Sequence, residues 1–202
     1  MKNLLLTGKP GVGKTTIVRA VLSSLKVEAG GFFTQEIREE GQRVGFQLCE
    51  LGGKEGLLAH TSLASPHRVG RYGVQIETME EIALPALRKA IAGKDLVVID
   101  EIGRMELFCP AFLEAILLAL ESPKPVLGVL QERASPLSQR IKRRQDTKII
   151  PVTLENRDQL VEVILQELEG HLDIPGESGG VRGKGLEPND AKQEADRAGP
   201  LR

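Results

Sequence analysis

The chain alternates short apolar runs with longer segments in which apolar residues recur every three or four positions. Such runs are typical of buried strands, and the wider spacing is typical of helices with one face toward a core. Strands are predicted over residues 3–7, 32–37, 44–51, 56–61, 95–100, 125–130 and 148–152, and helices over residues 14–25, 79–91, 109–121, 137–144 and 156–168. Because strands and helices largely alternate, the pattern predicts an α/β domain with a mainly parallel sheet and flanking helices.

One part of the chain departs from this alternation. Residues 32–37 and 44–51 flank a polar turn at residues 38–42, which predicts an inserted β-hairpin. Residues 62–72 contain a proline and several basic side chains, so we expect an exposed loop there. Thr78 is the expected N-cap of the next helix.

The composition changes after Gly170. From residue 171 to residue 202 the chain is rich in Gly and Pro and shows no amphipathic period. Such a segment buries too little apolar surface to offset the entropy of ordering it. The prediction is therefore one domain over residues 1–170 and a disordered tail over residues 171–202.

Composition and charge exclude several classes of partner. The 202 residues are 41% hydrophobic and carry a formal net charge of -1, so no overall field attracts nucleic acid or anionic lipid. With 5 Phe, 1 Tyr and no Trp, base-stacking platforms are not expected. The longest apolar stretch, residues 111–120, is about half of the roughly 20 residues that span a membrane. Cys49 and Cys109 match no metal-ligand spacing and are predicted to be buried reduced thiols, so we expect a cytoplasmic protein. We also expect a monomer.

A glycine-rich segment lies between the first predicted strand and helix. It comprises Gly8, Lys9, Pro10, Gly11, Val12, Gly13, Lys14 and Thr15. The spacing of Gly, four residues, Gly, Lys and Thr is that of a loop whose backbone N–H groups surround a phosphate. Lys14 would supply charge to the terminal phosphates, the Thr15 hydroxyl could ligate Mg²⁺, and Thr16 would lie near the first phosphate.

A second motif follows the apolar strand at residues 96–99. Asp100 is placed to hold Mg²⁺, and Glu101 is placed to orient or deprotonate an attacking water. Together with Ile102 and Gly103 these acids also fit the Asp, two residues, Gly pattern of switch GTPases. The guanine-selecting Asn-Lys-x-Asp segment is absent from the sequence, which disfavours a regulatory GTPase.

Hydrolysis also requires positive charge beyond Lys14, and the sequence leaves the source open. The candidates are Arg104, Arg133, Arg140, Arg143 and Arg144. The basic helix at residues 137–144 is either a lid over the nucleotide or a solvated face. Gln131 follows the strand after the acidic one, where it could sense the terminal phosphate or hold the water.

In these motifs and several further segments the chain resembles the small thermophile-type P-loop nucleoside triphosphatases, whose vertebrate member is called cancer-related nucleoside triphosphatase. The segments that carry the resemblance are residues 6–16, 31–38, 43–46, 69–72, 83–87, 98–108 and 152–157. The resemblance implies a RecA-like fold and slow, Mg²⁺-dependent hydrolysis of ATP, GTP and other nucleoside triphosphates with loose base selectivity.

These motifs and the resemblance give the expected roles of the site residues. We assign catalysis to Lys14 and Glu101, and Mg²⁺ binding to Thr15 and Asp100. The nucleotide-binding set is Gly8, Lys9, Pro10, Gly11, Val12, Gly13, Lys14, Thr15, Thr16, Asp100, Glu101, Ile102 and Gly103.

Two other functions remain open at this point. A small-molecule or nucleoside kinase could use the same phosphate loop, with Thr34 and Glu36 of the hairpin lining an acceptor site. A nucleotide-gated interaction protein could instead use slow hydrolysis to time a contact made by the tail or by the apolar helix at residues 109–121.

Overall fold

A computed structural model describes residues 1–172 of the chain. It contains nine strands that form one sheet within these residues. The strands are β1 (Asn3–Thr7), β2 (Ala29–Glu39), β3 (Gln42–Glu50), β4 (Glu55–His60), β5 (Arg68–Val69), β6 (Tyr72–Val74), β7 (Leu96–Ile102), β8 (Val126–Leu130) and β9 (Thr147–Pro151).

The helices lie on both faces of this sheet. They are α1 (Lys14–Ser24), α2 (Ile76–Thr78), α3 (Leu84–Gly93), α4 (Pro110–Glu121), α5 (Pro136–Lys142) and α6 (Arg157–Glu169). A π-helical segment, Met79–Ala83, joins α2 to α3, and a short 3₁₀ helix, Glu106–Phe108, precedes α4.

The strand order across the sheet is β5-β6-β4-β3-β2-β7-β8-β1-β9. The five strands β2, β7, β8, β1 and β9 are parallel, and β3, β4, β6 and β5 continue the sheet as antiparallel strands. The predicted α/β fold with a mainly parallel sheet and an inserted hairpin is confirmed. Because β8 lies between β1 and β7, the predicted phosphate loop and the acidic strand end reach the same edge of the sheet, one strand apart.

Apolar residues of the parallel strands alternate between two cores. Leu4 and Leu6 of β1 pack with α1 and α6 on one face, whereas Leu5 packs with α3 and α4 on the other. Phe32 and Phe112 meet in the second core, with ring centroids 5.4 Å apart. A sheet covered on both faces explains why the parallel strands are continuous apolar runs without polar alternation.

Two local expectations were wrong. The predicted loop at residues 62–72 contains β5 and continues into β6, where Tyr72 is buried. Thr78 does not cap a helix: its hydroxyl donates to the carbonyl of Leu57 at 2.6 Å, and the helical segment begins at Ile76. Both errors involve long-range contacts with β4, which local sequence patterns do not report.

The end of the described chain packs against the domain. Leu172 is 8% exposed and belongs to the core formed with α1 and α6, so packing extends two residues past the predicted domain boundary. The remainder of the predicted tail lies outside the described residues. Cys49 and Cys109 are buried and free, as predicted. Among residues 1–172, no helix combines the length and apolar character needed to cross a membrane.

Candidate active site

The loop between β1 and α1 has a backbone that suits glycine. Gly8, Gly11 and Gly13 have φ angles of 151°, 79° and 107°, a region that other residues rarely adopt. A Cβ atom at Gly8 would also lie 2.5 Å from the carbonyl oxygen of Val152, which follows β9. The loop therefore packs closely against the end of β9, and the Gly13 carbonyl starts α1 by accepting from the Ile17 N–H at 3.0 Å.

Lys14 is held over this loop. Its side chain is largely buried, and Nζ donates to the carbonyl oxygens of Gly8 at 2.9 Å and Lys9 at 3.1 Å. These neutral acceptors place the ammonium within the curve of the loop without cancelling its charge. Its charge is therefore available to an anion in the adjoining cavity.

Asp100 lies near the carboxyl end of β7 and is 1% exposed. Its Oδ2 atom is buried and has no hydrogen-bond partner within the described residues. Burial raises the pKa of Asp100 to about 6, an effect that the Thr15 hydroxyl and the Lys14 charge partly oppose. The Asp100–Glu101 peptide bond is cis. A buried acceptor without a partner calls for an explanation, and a hard cation is the ligand that a carboxylate and a hydroxyl would share.

Glu101 is the next residue and is largely buried. Burial, reinforced by the Asp100 charge, raises the pKa of Glu101 to about 7, while the charges of Lys14 and Arg43 oppose the rise. A carboxyl group with a pKa near neutrality is suited to accept a proton from water in a reaction at physiological pH.

A cavity of about 730 Å³ joins the phosphate loop to the acidic strand end. The predicted residues that line it are Gly8, Pro10, Gly11, Gly13, Lys14, Thr15, Thr16, Asp100, Glu101 and Gly103. Three other members of the predicted set, Lys9, Val12 and Ile102, are not in this lining. Val12 and Ile102 are buried in the core, and Lys9 contributes its carbonyl oxygen to Lys14.

The structure divides the candidate arginines. Arg104 and Arg133 line the cavity, as does Gln131, whereas Arg140, Arg143 and Arg144 are not in the lining. Arg144 makes a two-pronged ion pair with Asp146, with both N–O distances 2.9 Å, and also lies 3.5 Å from Glu121. The basic helix α5 therefore contributes no side chain to the cavity, and its predicted role as a lid gains no support.

The hairpin and the strands beyond it form the far wall. Thr34 and Glu36 line the cavity, as the acceptor-site hypothesis required, and Arg43, Phe46 and Tyr72 lie beside them. These last three residues, together with Arg19 of α1, were missed as site residues. For Arg43, Phe46 and Tyr72 the available signal was their position in segments 43–46 and 69–72, which carry the family resemblance.

The fold and the cavity define a nucleotide-binding protein of the phosphate-loop class, with a glycine loop, a buried Lys, and two carboxylates at the end of a neighbouring strand. The family model described as NTPase matches residues 3–165. The chain belongs to this family of nucleoside triphosphatases.

Relatives of the chain cover most of its length. It is 44% identical over 166 residues to nucleoside-triphosphatase THEP1 of Thermotoga sp. (strain RQ2), a match that covers 82% of this chain and 95% of that protein. It is 40% identical over 176 residues to the Homo sapiens cancer-related nucleoside-triphosphatase, covering 79% and 93% of the two chains.

Two solved structures share the fold. The crystal structure of THEP1 from Aquifex aeolicus superposes with a TM-score of 0.75 at 36% identity and covers 83% of this chain and 99% of that one. The solution structure of a human cancer-related nucleoside triphosphatase gives a TM-score of 0.71 at 37% identity, with coverages of 84% and 98%. The resemblance stated from the sequence is confirmed.

Proposed function

We propose that this chain hydrolyses ATP, GTP and other nucleoside triphosphates to the diphosphate and phosphate, slowly, with Mg²⁺ and with loose base selectivity. One observation carries the proposal: Lys14, Thr15, Asp100 and Glu101 line a single cavity that is large enough for a small-molecule ligand. Relatives that are 40% and 44% identical to it over the matched residues are named nucleoside-triphosphatases.

Binding of the triphosphate would use the glycine loop and Lys14. The N-terminus of α1 carries the positive end of the helix dipole, which favours an anion at this position. Lys14 would give up its bonds to the carbonyls of Gly8 and Lys9 in exchange for phosphate oxygens, so the ammonium moves from neutral acceptors to charged ones.

Thr15 and Asp100 are the residues that would hold Mg²⁺. The unpartnered Oδ2 of Asp100 and the neighbouring Thr15 hydroxyl fit a hard cation that prefers oxygen ligands. When bound, the ion neutralises charge on the phosphates. No cluster of three or more His, Cys, Asp or Glu side chains suited to a metal occurs within residues 1–172. A site with one or two carboxylates agrees with Mg²⁺, which usually completes its shell with water and substrate phosphates.

Glu101 would accept the proton of the attacking water. Its partly buried position and its pKa near 7 let the carboxylate form be populated and yet take up a proton at neutral pH. Gln131, whose backbone N–H donates to the Ile102 carbonyl at 3.0 Å, would hold the same water through its side-chain amide.

Composition also bears on the location, oligomeric state and partners of the enzyme. We propose a monomeric cytoplasmic protein whose catalytic domain occupies residues 1–170 and which does not bind nucleic acid. The net charge of -1 and the two buried free cysteines support this assignment.

A turnover panel tests the proposal. Phosphate release is measured with ATP, GTP, CTP, UTP and dTTP, with Mg²⁺ and with excess chelator. We expect release from all five with Mg²⁺, with rates that differ by less than about tenfold because base contacts contribute little, and none with chelator. A parallel screen of hydroxyl acceptors with labelled terminal phosphate separates hydrolysis from transfer: transfer well above the rate to water would support the kinase alternative.

A further inference from the structure

Arg43 of β3 is fixed across the cavity from the phosphate loop. Its Nη1 donates to Glu36 Oε1 at 2.7 Å, and its Nε donates to the Tyr72 hydroxyl at 3.2 Å. The guanidinium also stacks 5.0 Å from the centre of the Phe46 ring. Two hydrogen bonds and one stacking contact hold a side chain that would otherwise sample many rotamers, so little entropy remains to be lost when it binds an anion.

One nitrogen of this guanidinium, Nη2, is available as a donor. Within residues 1–172, Nη2 of Arg43 makes no hydrogen bond, and the arginine lines the same cavity as Glu101. The charge of Arg43 also opposes part of the rise that burial causes in the pKa of Glu101. Arg43 and Glu101 therefore line the same cavity, in which the proposed hydrolysis would bring water to the terminal phosphate.

Strand order supports this placement. The phosphate loop follows β1, Gln131 follows β8, Glu101 is in β7, and Arg43 lies beyond them in β3, two strands past β7. A triphosphate on the loop would extend its terminal phosphate toward β7. A cation beyond Glu101 then lies on the side where negative charge accumulates as the phosphoryl group transfers.

The other arginines of the lining are less organised. Arg19 stacks on Phe33 at 4.2 Å from the ring centre and acts on Asp100. Arg104 and Arg133 are exposed and make no hydrogen bond within the described part of the chain. Of the four arginines that line the cavity, Arg43 is the one with hydrogen-bonded support inside residues 1–172.

We propose that Arg43 is the arginine that contacts the terminal phosphoryl group and stabilises its charge in the transition state, with Glu36 and Tyr72 as its positioning residues. This inference rests on the proposed hydrolysis. It assigns the chain's own hairpin the task that other phosphate-loop enzymes give to a residue of a partner protein.

Steady-state kinetics of Arg43→Ala test the inference. We expect kcat to fall roughly 100-fold or more, the size of effect seen when one preorganised donor is removed, while KM and nucleotide affinity change less than about threefold. Arg43→Lys is expected to recover only part of the rate, because an ammonium cannot reproduce the planar guanidinium. Added guanidinium ion at low millimolar concentration should raise the rate of Arg43→Ala and leave the wild type unchanged.

Arg38→Ala is the matched control. Arg38 lies on the same hairpin and pairs with the same carboxylate, with 2.6 Å from its Nη2 to Glu36 Oε2, but it is not part of the cavity lining. Its removal should change kcat less than about twofold, as expected for an exposed ion pair. Tyr72→Phe removes the hydroxyl that holds Nε and should lower kcat about five- to tenfold, a loss equal to one hydrogen bond.

The possible outcomes distinguish failure of the Arg43 assignment from failure of the proposed hydrolysis. An active wild type together with an Arg43→Ala variant within about threefold of its kcat overturns the inference and leaves the proposed hydrolysis standing. A 100-fold loss in Arg104→Ala or Arg133→Ala with Arg43→Ala unaffected also overturns it. A wild type without hydrolysis overturns both. If Arg43→Ala does not fold, Arg43→Lys with guanidinium rescue decides: full activity without rescue contradicts the assignment.

Discussion

Glu106 Oε2 accepts a hydrogen bond from the backbone N–H of Gly103 at 2.8 Å, and this contact fixes the loop that follows Glu101. Glu106 is 5% exposed, and burial raises the pKa of its carboxyl from 4.5 to about 7. The folded protein thus binds a proton at Glu106 that the unfolded chain releases between these two pH values. The free energy of unfolding contributed by this residue therefore falls as the pH rises from 4.5 to about 7.

Replacing Glu106 by Gln removes this titration and keeps an oxygen that can accept from Gly103. We expect Glu106→Gln to match the wild type in stability at pH 5 and to exceed it by on the order of 2 kcal/mol at pH 8. Urea unfolding at the two pH values measures the difference. If the variant differed from the wild type by the same free energy of unfolding at pH 5 and at pH 8, Glu106 would not carry a raised pKa in the folded state.

Lys14→Ala should abolish the electrostatic contribution to nucleotide binding. We expect the dissociation constant for ATP, measured by calorimetry, to rise at least tenfold, because the loop residues that line the cavity then offer only neutral donors. The substitution leaves two carbonyls that face a solvent-filled cavity, so the fold should persist. Lys26→Ala, on an exposed residue after α1, is the matched control and should bind normally. Unchanged affinity of Lys14→Ala would place the phosphates elsewhere.

Asp100→Asn tests the cation site without relying on activity. With ADP present, Mg²⁺ should raise the melting temperature of the wild type, because a ligand that binds only the folded state stabilises it. At 100 times its dissociation constant such a ligand adds about 2.7 kcal/mol to the free energy of unfolding. The Asn variant should lose most of this response, because it removes one formal charge from the cation's ligands. Asp158→Asn, on an exposed acid of α6, should keep the response. A full Mg²⁺ response in Asp100→Asn would contradict the assignment.

The phosphate loop contains a matched pair of glycines for a stability test. A side chain at Gly8 meets the Val152 carbonyl at 2.5 Å, whereas one at Gly11 has no neighbour within 4 Å, and both residues have positive φ. Gly11→Ala should cost about 1 kcal/mol for backbone strain alone, and Gly8→Ala roughly 3 kcal/mol because steric overlap is added. Denaturant midpoints give both values, and equal losses would mean that the close approach to β9 is not important for stability.

Local patterns were sufficient to predict the residues that we propose for phosphate binding and catalysis. The glycines, Lys14 and the acids at the end of β7 lie in short segments whose residue types and spacing are visible in the sequence. A parallel sheet places the phosphate loop and these acids close together, because parallel strands end at a common edge. The apolar runs of β1, β7 and β8 had already indicated such a sheet.

The cavity wall formed by the hairpin and the strands beyond it could not be predicted without knowledge of long-range contacts. Tyr72 reaches the cavity because β6 pairs with β4, and β4 pairs with β3, in a register that the local pattern of each segment does not give. Arg43 becomes functional only when Tyr72 and Glu36 converge on it. Conversely, the basic residues of the predicted helix at residues 137–144 suggested a role by their charge, but Arg144 is paired with Asp146 outside the cavity lining. Charge and periodicity do not indicate where an arginine points.

In the proposed hydrolysis, Glu101 activates the attacking water. The most direct measurement is phosphate release in a single turnover of ATP by Glu101→Gln, with binding of ATP measured on the same sample. Gln keeps the size and hydrogen-bonding reach of Glu but cannot take up the proton. The variant should therefore bind ATP within about threefold of the wild type and release phosphate at least roughly 100-fold more slowly. Glu114→Gln, on an exposed face of α4, should retain both properties. Normal phosphate release by Glu101→Gln would contradict the mechanism.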